Sequence, residues 1–118
     1  MTDPLAAYMR AVRRLPPVSE AEQAAAAVEY ARTKSSKAKE RLAASCLKLV
    51  VREASRFARG GAREKVADLV QEGNRGLLRA VDRFDWRRGC RFTTYATHWV
   101  TQSIRRAATA AGEAGPAL

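Results

Sequence analysis

The chain has 118 residues and carries 22 Lys plus Arg against 12 Asp plus Glu, a formal charge of +10, an excess that in a small domain points to an anionic partner. Its 47% apolar content supports one modest core, and with alanine at roughly a fifth of the chain that core is built from close-packed helices without room for a large enzymatic cavity. Two widely spaced cysteines, Cys46 and Cys90, and the single His98 exclude a disulfide framework and a structural zinc site.

Punctuation divides the rest into helical segments. Asp3 followed by Pro4 has the N-cap and first-turn pattern of a short helix to about Arg14, with Leu5, Met9 and Val12 as a thin apolar stripe. After Pro16 and Pro17, Ser19 and Glu22 form an S-x-x-E capping box, and the alanine-rich run behind it predicts a helix to about Thr33. From about Lys37 to Phe57 the apolar positions Leu42, Cys46, Leu49, Val50, Ala54 and Phe57 recur at steps of three and four, which predicts one continuous helix packed on one side. A second stripe, from Val66 through Leu69, Val70, Gly73, Leu77, Ala80 and Val81 to Phe84, contains two glycines. Each costs a helix about 1 kcal/mol relative to alanine, so close packing is expected to require them. Thr93 or Thr94 is expected to cap a last helix to about Ala110, followed by a small-residue tail. The fold class is therefore all-α, a compact bundle of about five helices.

No run approaches the ~18 apolar residues of a membrane span, and the N-terminus lacks the pattern of a secretory signal. A cytoplasmic protein with no membrane partner is expected. There is no phosphate-binding glycine loop, no GxSxG and no HExxH. The chain thus offers no catalytic residue, implies no cofactor or metal, and reads as something other than an enzyme.

The charge is concentrated. Between Arg75 and Arg106 lie eight arginines, no lysine and only Asp82 and Asp85 as acids, and arginine in this role suits bidentate phosphate contact and stacking. A solvated bundle face would account for the charge alone. The segment FDWRRGCRFTTYATHWV, however, places Phe84, Trp86, Phe92, Tyr95 and Trp99 among those arginines. Rings interleaved with guanidinium groups fit unstacked bases, whose faces a closed duplex hides, so single-stranded or melted nucleic acid is favoured. A buried aromatic cluster is the structural alternative for Phe84 and Trp86. At 100° per residue the last helix splits into a core face (Ala96, Val100, Ser103, Ile104, Ala107) and a second stripe of Tyr95, His98, Trp99, Gln102 and Arg106, the latter a poor packing surface and a good nucleic-acid surface.

At these residues the stretch DLVQEGNRGLLRAVDRFDWRRGCRFTTYATHWVTQSIRRA resembles the central region of the primary-type, sigma-70 family of bacterial RNA polymerase sigma factors. Upstream, DPLAAYMRAVRRLPPVSEAEQAAAA resembles region 1.2 and AKERLAASCLKLVVREASRF resembles region 2.1, so the resemblance covers about residues 3 to 108. It implies a region 1.2-like segment at 1–34, a region 2 helical domain (2.1 to 2.4) at 35–110 and a flexible tail at 111–118.

The resemblance also implies roles. Asp68, Leu69, Gln71, Glu72 and Asn74 would bind the clamp helices of the largest subunit of core RNA polymerase. Tyr95 would stack on a flipped adenine of the single-stranded, non-template minus-ten element of promoter DNA, with Arg88, Phe92 and Thr94 as further walls. Gln102 would read the upstream edge of the element, and Arg91 and Arg106 would contact the backbone. Departures from the family accompany these matches. His98 replaces the first of a tryptophan pair that leaves Trp99 alone, Cys46 stands for an asparagine that helps read the strand, and Cys90 stands for an aromatic pocket wall. Arg105 replaces a smaller polar residue beside Gln102, and the loop from Phe57 to Asp68 is about two residues longer than typical. After Arg106 the family continues into domains 3 and 4, whereas this chain ends in AGEAGPAL, so a fragment or a minimal homologue is expected. Two functions follow: a factor that recognises and melts the minus-ten element, or a regulator that occupies the polymerase clamp and competes with full sigma factors.

Overall fold

The computed structural model describes residues 3–58 and 63–110, and among them every regular element is helical. The anticipated tail at 111–118 and part of the long loop, residues 59–62, lie outside the described residues. Helix α1 (Pro4–Arg14) starts as the sequence dictates, with Asp3 Oδ1 accepting from the Leu5 and Ala6 amides at 3.0 and 3.3 Å. Only Val12 of α1 is buried. Helix α2 (Glu20–Thr33) opens on the expected capping box, the Ser19 hydroxyl accepting from the Glu22 amide and the Glu22 carboxylate from the Ser19 amide.

The stretch read as one helix is two, α3 (Ser36–Ala44) and α4 (Leu47–Ala58), which makes six α-helices among the described residues where about five were expected. The break is at Ser45. Its hydroxyl donates to the Leu42 carbonyl at 2.6 Å, and the Ser45 and Cys46 amides reach carbonyls three residues back. A serine side chain that competes for a helix carbonyl tightens the last turn in this way. The apolar stripe survives the break, since Leu42, Cys46, Val50, Ala54 and Phe57 are all buried, while Leu49 is only half-buried.

Helix α5 (Arg63–Arg83) packs most extensively on α6 (Phe92–Ala110), and the two glycines decide how closely. A Cβ on Gly73 would stand 2.8 Å from Val50 Cγ1 of α4 and 2.9 Å from Ile104 Cδ1 of α6. A Cβ on Gly76 would stand 2.7 Å from the Trp99 carbonyl oxygen and collide with the Ser103 hydroxyl. Three helices therefore meet at bare backbone. On α6 the buried residues are Phe92, Ala96, Val100, Ile104 and Ala108, with Ser103 and Ala107 half-buried at the flank. This helix begins at Phe92, so neither Thr93 nor Thr94 caps it. The Thr93 hydroxyl instead accepts from Gln23 Nε2 at 2.8 Å, tying α6 to the buried amide of α2.

A polar clasp closes the far side. The Tyr30 hydroxyl of α2 donates to Asp82 of α5 at 2.5 Å, Lys39 Nζ of α3 stands 3.7 Å from the same carboxylate, and the Lys34 ammonium lies 4.7 Å over the Tyr30 ring. Lys34 ends α2 with φ of 55°, a left-handed conformation uncommon for a residue with a Cβ. The Tyr30 hydrogen bond, helped by the lysines, holds the Asp82 carboxyl below the usual aspartate range, and the same bond pushes the Tyr30 phenol up.

Two expectations follow. Gly76→Ala gains about 1 kcal/mol of helix propensity but forces the Trp99 backbone and Ser103 apart, an overpacking cost of about 1–3 kcal/mol. A net loss read as a lower urea midpoint is expected, and an unchanged midpoint would contradict the close approach. Because the folded pKa of Asp82 is depressed, its stabilisation is present above the ordinary aspartate range near ~3.9 and is lost as pH falls through the lower folded value. The stability difference between the wild type and Asp82→Asn should therefore be present at neutral pH and vanish in acid, and a pH-independent difference would rule the charge out as its source.

Candidate nucleic-acid interface

The loop between α5 and α6 builds the site. Helix α5 runs out at Arg83, and Asp85 then caps a single 3₁₀ turn, Trp86–Arg88, accepting from the Arg87 amide at 3.0 Å and from Arg87 Nε at 3.1 Å. Those bonds hold the Asp85 carboxyl below its usual range. Gly89, with φ of 79°, supplies the left-handed residue that turns the chain back toward α6.

The turn lines up a series of rings from the core outward. Phe92 meets Phe84 edge-on with centroids 5.3 Å apart, Phe84 lies 5.5 Å from Tyr95, and Tyr95 lies 6.3 Å from Trp99, all within the range of attractive aromatic pairs. The Arg83 guanidinium covers the outer end, 5.2 Å from the Trp99 ring centroid. The Tyr95 hydroxyl donates a long bond of 3.4 Å to the Arg83 carbonyl. An open cleft of about 410 Å³ lies here, lined by Arg83, Phe84, Asp85, Arg88, Cys90 and Tyr95. A second groove, about 250 Å³, runs between α2 and the turn, and Phe84 and Cys90 line both.

The structure brings most of the expected surface together. Arg88, Arg91, Thr94, His98, Gln102 and Arg106 are exposed, and Tyr95 and Trp99 are half-buried with part of each ring open. Trp86 is 43% exposed, so the alternative of a buried cluster fails for it, whereas Phe84 is half-buried in the ring series. Two placements, those of Phe92 and Cys46, correct the sequence reading. Phe92 is 2% exposed and belongs to the core, so it supports Phe84 from beneath and shows only a sliver at the floor of the α2 groove. Cys46 is wholly buried where a strand-reading role requires exposure, and burial pushes its thiol pKa up. Arg105 is exposed, but its guanidinium leans back toward α4, 5.9 Å from the Phe57 ring. Arg91 pairs with Glu20 of α2 at 2.8 Å; both side chains are largely exposed, and such a pair contributes little, so a phosphate can replace the carboxylate.

The expected polymerase face is less uniform. Asp68 and Gln71 are exposed and Glu72, ion-paired with Arg75, is half-buried. Leu69 is 4% exposed and packs in the core, which removes it as a surface contact. Asn74 turns toward α1, its Nδ2 donating to the Tyr8 hydroxyl at 3.3 Å while its Oδ1 is buried without a partner. Sequence reading missed Leu78, which is 43% exposed and lies seven residues, two turns, along the same helical face from Gln71. The signal was present: Leu77 fills the core phase, and its neighbour is rotated 100° away.

The chain compares closely with known proteins. Residues 42–113 match the family described as Sigma-70 region 2. The chain is 41% identical over 107 residues to the RNA polymerase sigma factor SigA of Lactococcus lactis subsp. cremoris, covering 89% of this chain and 29% of that protein. It is 40% identical over 110 residues to SigA of a Bacillus species, covering 91% of this chain and 28% of the relative. Against the principal sigma factor HrdD of Streptomyces coelicolor the identity is 50% over 72 residues, covering 61% and 21% respectively. The chain thus spans less than a third of the length of these relatives.

Proposed function

Because the chain belongs to the sigma-70 family through its region 2, we propose that it is a transcription-initiation module that docks on core RNA polymerase and opens promoter DNA at the minus-ten element. The observation that carries this reading is the cleft at the α5–α6 turn, where the Tyr95 ring stands beside Phe84 and Cys90 with the Arg88 and Arg83 side chains on its rim. A flipped non-template base enters this cleft, stacks on Tyr95 and meets hydrogen-bonding groups at its edge. Unstacking a base costs a few kcal/mol, and base–aromatic stacking returns about 1–3 kcal/mol per base. Capture therefore needs no chemical energy source.

The exposed arginines set the strand's path. Arg88, Arg91 and Arg106 neutralise phosphates, and Gln102, one turn beyond His98 on the exposed flank of α6, reads a base edge at the upstream end. Its single side-chain amide can engage adenine at both N6 and N7, the oxygen accepting from the N6 amino group and the NH2 donating to N7. On the α5 surface, Asp68, Gln71 and Glu72 with Leu78 form the docking face, a mixed acidic, amide and apolar patch that suits the clamp helices of the largest polymerase subunit. Asn74 contributes there once it releases Tyr8.

Tyr95→Ala is expected to weaken binding of a single-stranded minus-ten non-template oligonucleotide, measured with core polymerase present, by about 1–3 kcal/mol, or roughly five- to a hundredfold. Equal affinity of the unaltered chain for a scrambled oligonucleotide would defeat base capture. Gln71→Ala combined with Glu72→Ala should abolish co-purification with core polymerase without lowering the melting temperature, because Gln71 is exposed and Glu72 carries only a surface ion pair. Undiminished recovery would overturn the docking assignment.

A further inference from the structure

One residue touches both open rings of the site, and neither charge clustering nor the family resemblance singled it out. Arg83 is the last residue of α5. Its main-chain carbonyl accepts the Tyr95 hydroxyl, and its guanidinium lies over the Trp99 ring at 5.2 Å. It also forms part of the cleft wall with Tyr95 and Arg88. We infer that Arg83 is a positioning residue for base capture: it sets the separation and tilt of Tyr95 and Trp99 before nucleic acid arrives. The inference rests on the base-capture reading above and adds to it the group that organises the rings.

Trp99 stands at the outer end of the ring series. Its ring is half-buried and packs on Tyr95 along one edge, which leaves the outer part to swing unless something holds it. A guanidinium over an indole face is attracted by the ring quadrupole and, being planar, restricts tilt as well as position. Arg83 is itself held by its place in the chain. The Phe84 amide donates to the Ala80 carbonyl at 2.9 Å, continuing the helical bonding past Arg83, and Ala80 and Val81 are buried in the core. The guanidinium therefore projects from a fixed helix end onto a ring of the neighbouring helix.

This arrangement has a consequence for coupling. Helix α5 bears the proposed docking residues Gln71, Glu72 and Leu78, and the same rigid rod ends in the group that seats the two rings. A partner that shifts the end of α5 shifts the ring geometry with it. The guanidinium also occupies part of the Trp99 face in the free protein, so an arriving base or phosphate exchanges with it and leaves the cation beside the strand.

The test separates positioning from bare charge. In a Trp86→Phe background Trp99 is the sole tryptophan, and its emission reports the contact without any nucleic acid. Arg83→Gln should shift that emission to the red and raise acrylamide quenching, while Arg83→Lys, which keeps the charge but loses the planar group, should restore only part of the wild-type signal. Arg79→Gln removes the same charge one turn earlier on α5 and touches neither ring, so its emission should stay unchanged. In binding of the minus-ten oligonucleotide with core polymerase, Arg83→Gln should lose roughly two- to fivefold more affinity than Arg79→Gln. Unchanged Trp99 emission in Arg83→Gln, or equal affinities of the two glutamine variants, would overturn the inference. If Tyr95→Ala still weakens binding in that case, base capture stands and only the role of Arg83 falls. If Tyr95→Ala has no effect, the underlying reading fails first, whatever the emission shows.

Discussion

The close approach of α5 to α6 at Gly73 and Gly76 is the constraint on which the rest depends. With a Cβ at either position the helices would meet Val50, Ile104, Ser103 or the Trp99 carbonyl at distances no packed carbon occupies. Bare backbone at the crossing lets two amphipathic helices share one core and fixes their relative position. The consequence is functional, because the two helices carry different surfaces. Helix α5 presents Asp68, Gln71, Glu72 and Leu78, while α6 presents Tyr95, His98, Trp99 and Gln102. Surfaces joined at a crossing of this kind move together, and the proposed function, which has one module hold a large enzyme and a DNA strand at once, would gain from that rigidity.

The turn between the two helices converts a packing arrangement into an exposed surface of rings and arginines, the surface proposed to capture bases. Phe92 anchors Phe84 from the core, Phe84 supports Tyr95, and Tyr95 supports Trp99, so each ring is held by the one beneath it and only the outer ones meet solvent. A preorganised ring loses little freedom when a base stacks on it. The arginines around the cleft add a long-range attraction that weakens with salt, and the rings add a short-range term that a closed duplex cannot exploit. Together these favour a strand that has already left its partner. Phe84 and Cys90 form the wall shared by the cleft and the α2 groove.

Much of this was legible in the sequence because local signals and tertiary packing agree. The Asp3 and Ser19 caps, the core phase of α6 and the need for glycine inside α5 are each dictated by a few neighbouring residues, and each stands as read. What escaped is tertiary in origin. The break at Ser45 leaves the apolar stripe intact, so periodicity cannot reveal it. Phe92 and Tyr95 look alike in a run of aromatics, and only the direction of approach of α6 sends one ring inward and the other outward. Leu69 is a different case, because its place in the apolar stripe of α5 already marked it for the core and only the family resemblance drew it into the docking face. Arg83 is only one of eight arginines in the cluster and nothing local singles it out, since its part depends on α6 laying Tyr95 and Trp99 beside the end of α5.

Permanganate reactivity of thymines on a linear promoter fragment, with core RNA polymerase and this chain added separately and together, tests the central claim most directly, because it asks whether one rigid module both docks and opens DNA. Reactive thymines are expected in the minus-ten element alone, and only when both components are present. Protection throughout, under conditions where the chain remains bound to the polymerase, would contradict the claim and leave a clamp-occupying competitor in its place.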